Sequence, residues 1–269
     1  MAATRMTQFG TWQPKIRGRL FYNWPRGACE EALRFTSAGQ LGREPYDVAI
    51  VGAGVVGCAL ACRLSMYDLR VLLVDRLHDV GEGTSKANSA LIHSGYDAKP
   101  GSLESELLHE AEAAWPGLAA RLKIPLDPIG GIMMAVTDEQ ERQLEAAEKN
   151  AHANRATDVR ILSAAEIRER EPHASPDVRG GLLVPGESLV DPFMASIAYA
   201  EIALANGVDI LLGADIAGVE LGQALHHLVT ADGHRLPARR IVNAAGLGSR
   251  RLADGYGGGA FDINPRRGQ

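Results

Sequence analysis

Cysteine is scarce: the 269 residues hold three, Cys29, Cys58 and Cys62. That excludes a disulfide framework, and the absence of a C-x-x-C pair removes the usual redox and zinc motifs. Cys58 and Cys62 stand four apart, on one face of a helix, and read as small buried thiols in a reducing compartment. No run reaches the roughly 20 apolar residues of a membrane-spanning helix. The longest charge-free stretch, Val48 to Cys62, is interrupted by three glycines. Acidic residues are missing before Glu30, so residues 1–44 carry seven basic against three acidic side chains, a charge of +4, and the remainder carries −9 of the overall −5. An acidic body argues against nucleic acid as a partner. The leader has no apolar segment for secretion and no clear period, and it reads as a poorly ordered extension. A transit peptide is the alternative, so the expected location is cytoplasmic, with the mitochondrial matrix second.

What is present is ordinary for a globular chain of one large or two modest domains, with 46% hydrophobic and 23% charged residues. The most informative stretch is YDVAIVGAGVVGCALACRLSMYDLRVLLVD, Tyr46 to Asp75. Val48 to Val51 and Arg70 to Val74 are β-branched and apolar, suited to strands buried on both faces. Between them Gly52, Gly54 and Gly57 keep the spacing G-x-G-x-x-G, at the mouth of a helix predicted from Val55 to about Met66. Strand, glycine turn and helix together direct free N–H groups at a diphosphate. Asp75, closing the second strand, suits a ribose hydroxyl.

The loop after Asp75 is too long for an ordinary connection and is a functional candidate. A helix follows from Leu103, N-capped by Ser102 and broken at Pro116. Ile129 to Val136 reads as a strand. Thr137 to Gln140 and Ser163 to Glu166 are capping boxes opening helices to about Asn154 and Arg170. GGLLVPGESLVDP reads as strand and turn, with Asp191 and Pro192 starting a helix that stops at Asn206 and Gly207. Strands at Val208 to Leu212, Ile216 to Leu221, Leu225 to Ala231 and His234 to Leu236 precede a buried-type strand, Arg240 to Asn243, which ends in AAGLGS. The pattern predicts an α/β, Rossmann-like dinucleotide domain with a parallel sheet, interrupted by a β-rich, α+β insert.

Three segments resemble the FAD-dependent oxidoreductases of the D-amino-acid-oxidase superfamily, in the branch of glycerol-3-phosphate dehydrogenases and L-2-hydroxyglutarate oxidases. They are VGAGVVG with Asp75, TSKANSALIHSGYDAKPGSL, and VNAAGLGS, and the likeness runs from about Tyr46 to Gln269. The resemblance implies FAD as cofactor. It implies that Gly52, Gly54, Gly57 and Asp75 hold the pyrophosphate and adenosine ribose. Thr84, Ser85, Asn88 and Ser89 would line the path to the flavin, and Ile216, Ala244, Ala245 and Gly246 would complete the adenosine pocket. It divides the chain into an extension (1–44), a first cofactor-domain part (45–125), a substrate domain (126–185), a second cofactor-domain part (186–255) and the start of a further substrate segment (256–269). Family members usually continue past a P-R-R-G-Q-like segment, so the resemblance implies a substrate domain that lacks part of its sheet.

His93 is the catalytic candidate, because an alcohol carbon releases hydride only as its hydroxyl proton leaves, and imidazole is a base suited to neutral pH. The bland reading is a histidine that merely contacts the cofactor or a carbonyl. Lys86 could steer an anionic substrate or be a solvated loop lysine. Arg168 and Arg170 read as solvent-facing, Met133 and Met134 as core, and Glu187 and Ser188 as an exposed turn without a role. His226 and His227, adjacent on a strand, point to opposite faces and do not make a metal site. The function implied is oxidation of a small anionic hydroxy compound, glycerol 3-phosphate or a 2-hydroxy acid such as L-2-hydroxyglutarate, by hydride transfer to flavin. The residues do not identify the electron acceptor, whether oxygen, a quinone or a carrier. Three readings compete: an amino-acid or amine oxidase of the same superfamily, an NAD-dependent dehydrogenase, since Asp75 suits NAD ribose too, and a non-catalytic FAD-binding remnant.

Overall fold

The computed structural model describes Leu41, residues 44–259 and residues 261–265. Most of the basic leader, Cys29 and the last four residues of the chain lie outside that range. The described residues form two compact units: those up to Ala87 together with those from Pro192 onward, and Asn88–Asp191. Sequence reasoning places the crossings near residues 125 and 186, whereas the chain leaves the first unit after Ala87 and returns at Pro192. The early crossing has a packing cause. The helix after Ser102 belongs to the insert, where Ser105 Oγ donates to Asn154 Oδ1 at 2.7 Å.

In the first unit, Val48–Val51 (β1) and Val71–Val74 (β2) are buried at every position, as their apolar composition requires. They pair in parallel with Ile50 opposite Leu73. Asp209–Leu211 (β9) adds to β2 and Ile241–Asn243 (β13) to β1, giving the order β13-β1-β2-β9. Helix Val55–Leu64 (α1) links β1 to β2 and packs against Pro192–Ala205 (α5). Small residues on both helices, Gly57, Ala61, Ala195 and Ala203 among them, are buried. An antiparallel meander of Ile216–Glu220 (β10), His226–Thr230 (β11) and Arg235–Ala238 (β12) shares a core with the parallel sheet through Leu72, Val74, Leu211, Leu228 and Leu236. Helix Ser249–Asp254 (α6) follows β13. β13 is half-buried rather than buried throughout, as fits its place at the edge of the sheet.

The second unit holds two small antiparallel sheets. Leu91–Ile92 (β3), Ser188–Val190 (β8) and Leu126–Asp127 (β4) form one, and Gly131–Ala135 (β5), Gly180–Val184 (β7) and Arg160–Ser163 (β6) the other. Helices Asp138–Ala153 (α3) and Ala164–Arg170 (α4) both begin in the capping boxes that the sequence encodes. The helix expected to break at Pro116 instead runs from Leu103 to Leu122 (α2). Proline there removes one N–H and crowds the Glu112 carbonyl. Pro116 is exposed, so water can satisfy that carbonyl and the helix continues.

Candidate functional site

The candidate residues fall into two groups, one in each unit. In the first unit, the turn after β1 is closed by contacts that only glycine permits. Gly52 has φ +111°, and a Cβ there would lie 2.3 Å from the Ala244 carbonyl oxygen, where the ends of β1 and β13 converge. A Cβ on Gly57 would lie 1.8 Å from the Gly52 oxygen, so this residue locks helix to turn. Gly54 differs, because a Cβ there would meet only the tip of one side chain, Ser85 Oγ, at 3.0 Å. That oxygen also accepts the Val55 N–H at 2.8 Å. Ser85, from the 3-10 turn Thr84–Lys86, thus caps α1 in place of the side chain that Gly54 lacks. The next N–H groups, of Val56 and Gly57, have no acceptor within the helix by position. With the positive end of the helix behind them they fit phosphate oxygens.

Asp75 is tied to the same turn. Its Oδ2 accepts the Ala53 N–H at 2.6 Å and its Oδ1 the Leu77 N–H at 2.8 Å. Each carboxylate oxygen has a second lone-pair direction that a ribose hydroxyl could use. The Ala244 N–H continues the β1–β13 ladder to Val51 at 2.8 Å, Ala245 N–H donates to Asn243 Oδ1 at 3.2 Å, and Gly246 turns at φ +53°. The structure therefore brings Gly52, Gly54, Gly57, Asp75, Ser85 and Ala244 around one turn. Ile216 is buried in the core of this unit, so its side chain is engaged there. Thr84 is exposed, and Lys86 pairs with Glu82 one helical turn away, which is the solvated reading. The two described thiols are free and buried; burial pushes Cys58 up to about 12 and Cys62 up to about 11, so neither is a thiolate near neutrality.

In the second unit, β3 and β8 pair with Leu91 opposite Leu189 and Ile92 opposite Ser188. The next position of that ladder sets His93 opposite Glu187. Nδ1 of His93 lies 3.2 Å from Glu187 Oε2, and 44% of the imidazole is exposed. The other carboxylate oxygen, Oε1, accepts both the N–H and the Oγ–H of Ser94, each at 2.8 Å. Glu187 is 4% exposed, which overturns the exposed-turn reading. The turn exists, but it folds the carboxylate inward onto two donors. Nothing local in the sequence joins IHSG to PGES; the available signal was that L-I and S-L-V are strand partners, which puts His93 and Glu187 face to face.

A second carboxylate approaches from α2. A Cβ on Gly186 would lie 2.6 Å from Glu112 Oε1 and 2.9 Å from Ser94 Cβ. Burial pushes the Glu112 carboxyl up; His109, 3.9 Å away, opposes this and Glu187 reinforces it. Asn88 and Ser89 are exposed, and Asn88 Oδ1 accepts the Ala90 N–H at 2.7 Å, supporting Ala90 at φ +61°. Arg168 donates to the carbonyls of Pro176 and Val178 at 3.1 and 3.2 Å, and so braces a loop. Met133 and Met134 pack at the edges of two apolar clusters. Among the described residues no three potential metal ligands gather, and no helix is long and apolar enough to cross a membrane.

Known proteins share this arrangement of the chain. Glycerol 3-phosphate dehydrogenase of Caloramator mitchellensis is 34% identical over 224 residues, covering 83% of this chain and 46% of that protein. L-2-hydroxyglutarate dehydrogenase of Escherichia coli K12 is 28% identical over 227 residues, covering 83% and 53%. Dithionite-reduced L-alpha-glycerophosphate oxidase from Mycoplasma pneumoniae, solved with FAD bound, superposes with a TM-score of 0.73 at 31% identity, over 79% of this chain and 57% of that one. The chain spans about half the length of the curated relatives it matches. The FAD dependent oxidoreductase (DAO) family matches residues 47–269, everything from β1 onward, and the chain belongs to that family.

Proposed function

We propose that this chain binds FAD and serves an oxidoreductase acting on the CH–OH group of a small anionic hydroxy compound, with glycerol 3-phosphate preferred to L-2-hydroxyglutarate. When bound, FAD supplies a two-electron acceptor for the hydride released by the substrate carbon. The turn Gly52–Gly57 and the first N–H groups of α1 would hold its diphosphate, Asp75 the ribose, and Ala244 to Gly246 the adenosine end. Ser85 holds the mouth of the helix in shape. Thr84, Asn88 and Ser89 remain as lining for the path to the ring. His93 takes the substrate hydroxyl proton on Nε2.

The observation that carries the choice of a hydroxy substrate is the exposed imidazole of His93 with one ring nitrogen against a buried carboxylate. Such a group is fitted to accept a proton, which an alcohol must lose and a neutral amine need not. The preference for glycerol 3-phosphate rests on matches of comparable length, 34% identity over 224 residues to the dehydrogenase of that substrate against 28% over 227 residues for the L-2-hydroxyglutarate dehydrogenase of Escherichia coli K12. Two buried free thiols suit a cytoplasmic setting.

The test is to purify the chain, release and identify its cofactor, and titrate it without air. Glycerol 3-phosphate should bleach the flavin, L-2-hydroxyglutarate less readily, and glycine or other amino acids not at all. Bleaching by amino acids alone would replace this reading with an amino-acid oxidase, and a colourless protein loaded with NAD would replace it with a dehydrogenase of the nicotinamide type.

A further inference from the structure

The two oxygens of Glu187 are used unequally. Oε1 receives both donors of Ser94, which fixes the plane of the carboxyl group, and Oε2 is left for Nδ1 of His93. The other groups that face this carboxylate are Glu112 from α2, with His109 beside it, and Tyr96 just beyond Ser94, which Asp97 also influences. Two neighbouring carboxyls do not both ionise easily. Glu187 has two fixed donors, whereas burial pushes the Glu112 carboxyl up.

We infer that Ser94 and Glu187 are positioning residues that set the tautomer of His93, holding its proton on Nδ1 and leaving the lone pair on Nε2. The inference rests on the reading of His93 as the base. In the step it serves, the substrate O–H bond breaks, its electron pair stays on oxygen, and the proton joins Nε2. The imidazolium so formed keeps its Nδ1–H on Glu187 Oε2.

The Ser94 anchor makes Glu187→Gln a sharp test. Both Ser94 groups donate, so the amide of the variant must place its oxygen on them and turn its NH₂ toward His93. An NH₂ there needs Nδ1 as an acceptor, which drives the ring proton to Nε2 and removes the base without removing the imidazole. The measurement is nitrogen-resolved NMR of the full chain labelled at histidine, at a pH where the ring is neutral, with His93 assigned by its loss in His93→Asn. The native chain should carry the proton on Nδ1 and Glu187→Gln on Nε2. In parallel, anaerobic reduction of the loaded variant by glycerol 3-phosphate should slow by about 10²–10⁴-fold, the range for losing a general base or inverting its tautomer. The same tautomer in both proteins overturns the inference, as does a native proton on Nε2, a result that decides the matter even if the variant does not fold. Tautomer reversal with an unchanged reduction rate upholds the Ser94–Glu187 arrangement and removes His93 from the chemistry. The two readings are thus separable.

Discussion

The three glycines of the turn after β1 look equivalent in sequence, and the structure predicts that they fail in different ways. In Gly57→Ala the new Cβ would stand 1.8 Å from the Gly52 oxygen, and real Cβ atoms do not approach closer than 3.0 Å, so the two backbones must part by at least 1.2 Å. Neither can do so freely. Leu73 Cδ1 lies 3.4 Å away on a fully buried side chain, and α1 packs against α5 behind. Overpacking of this kind costs about 3 kcal/mol, the upper part of its usual range. For a unit of this size that lowers Tm by about 6–12 °C, at 2–4 °C per kcal/mol. Gly54→Ala meets only the rotatable Ser85 hydroxyl, and its cost is one weakened hydrogen bond, about 1 kcal/mol or about 2–4 °C. Cofactor loss should run the other way in proportion: Gly54→Val should keep the fold and lose FAD, because its side chain would stand where the proposed diphosphate site lies. Thermal unfolding followed by circular dichroism, with FAD counted after release, separates the two. A Gly57→Ala chain melting within about 2 °C of native would show slack in the turn and refute the argument.

His93→Ala should retain FAD yet slow its anaerobic reduction by roughly 10²-fold or more, and unchanged stopped-flow kinetics would exclude it as the base. The Cys58 thiol, pushed up to about 12 by burial, should resist alkylation in folded Cys29→Ala protein near pH 8 and react once denaturant is added; rapid labelling of the native chain, read by mass spectrometry, would contradict its burial. Glu112 has its pKa raised by burial, so the folded chain binds this proton more tightly than the unfolded one. Its contribution to stability is present at low pH and lost as pH rises through the folded value. Glu112→Gln should therefore raise Tm near pH 7 and leave it close to native near pH 4, where the carboxyl is already protonated; a Tm–pH curve parallel to that of the native chain would contradict this.

The nucleotide half was legible because its information is local. VAIV, the glycine spacing and VLLV lie within 27 residues, and Gly52 and Gly57 do what strand–turn–helix geometry demands. The capping boxes at Thr137 and Ser163 are local too, and both formed. Pro116 misled because exposure, a tertiary fact, decides whether an orphaned carbonyl is tolerated. Ile216 lies on its expected strand, but which way its side chain turns is set by the core it meets. Glu187 was missed for the same reason on a larger scale, since its donors come from a residue 93 positions earlier and turn residues normally face water.

That separation has a kinetic meaning. Closing a loop of 93 residues costs about 4 kcal/mol of chain entropy before any contact offsets it. Collapse of the three helices and the β5-β7-β6 sheet strung between its ends would shorten that loop and favour the Ser94–Glu187 latch. The turn after β1 waits on a longer closure still, since the Ala244 N–H reaches back to the Val51 carbonyl across 193 residues (244 − 51), and Glu187 leaves the ribosome before Ala244 does. The latch of the insert can therefore be set while the glycine turn still lacks its last strand.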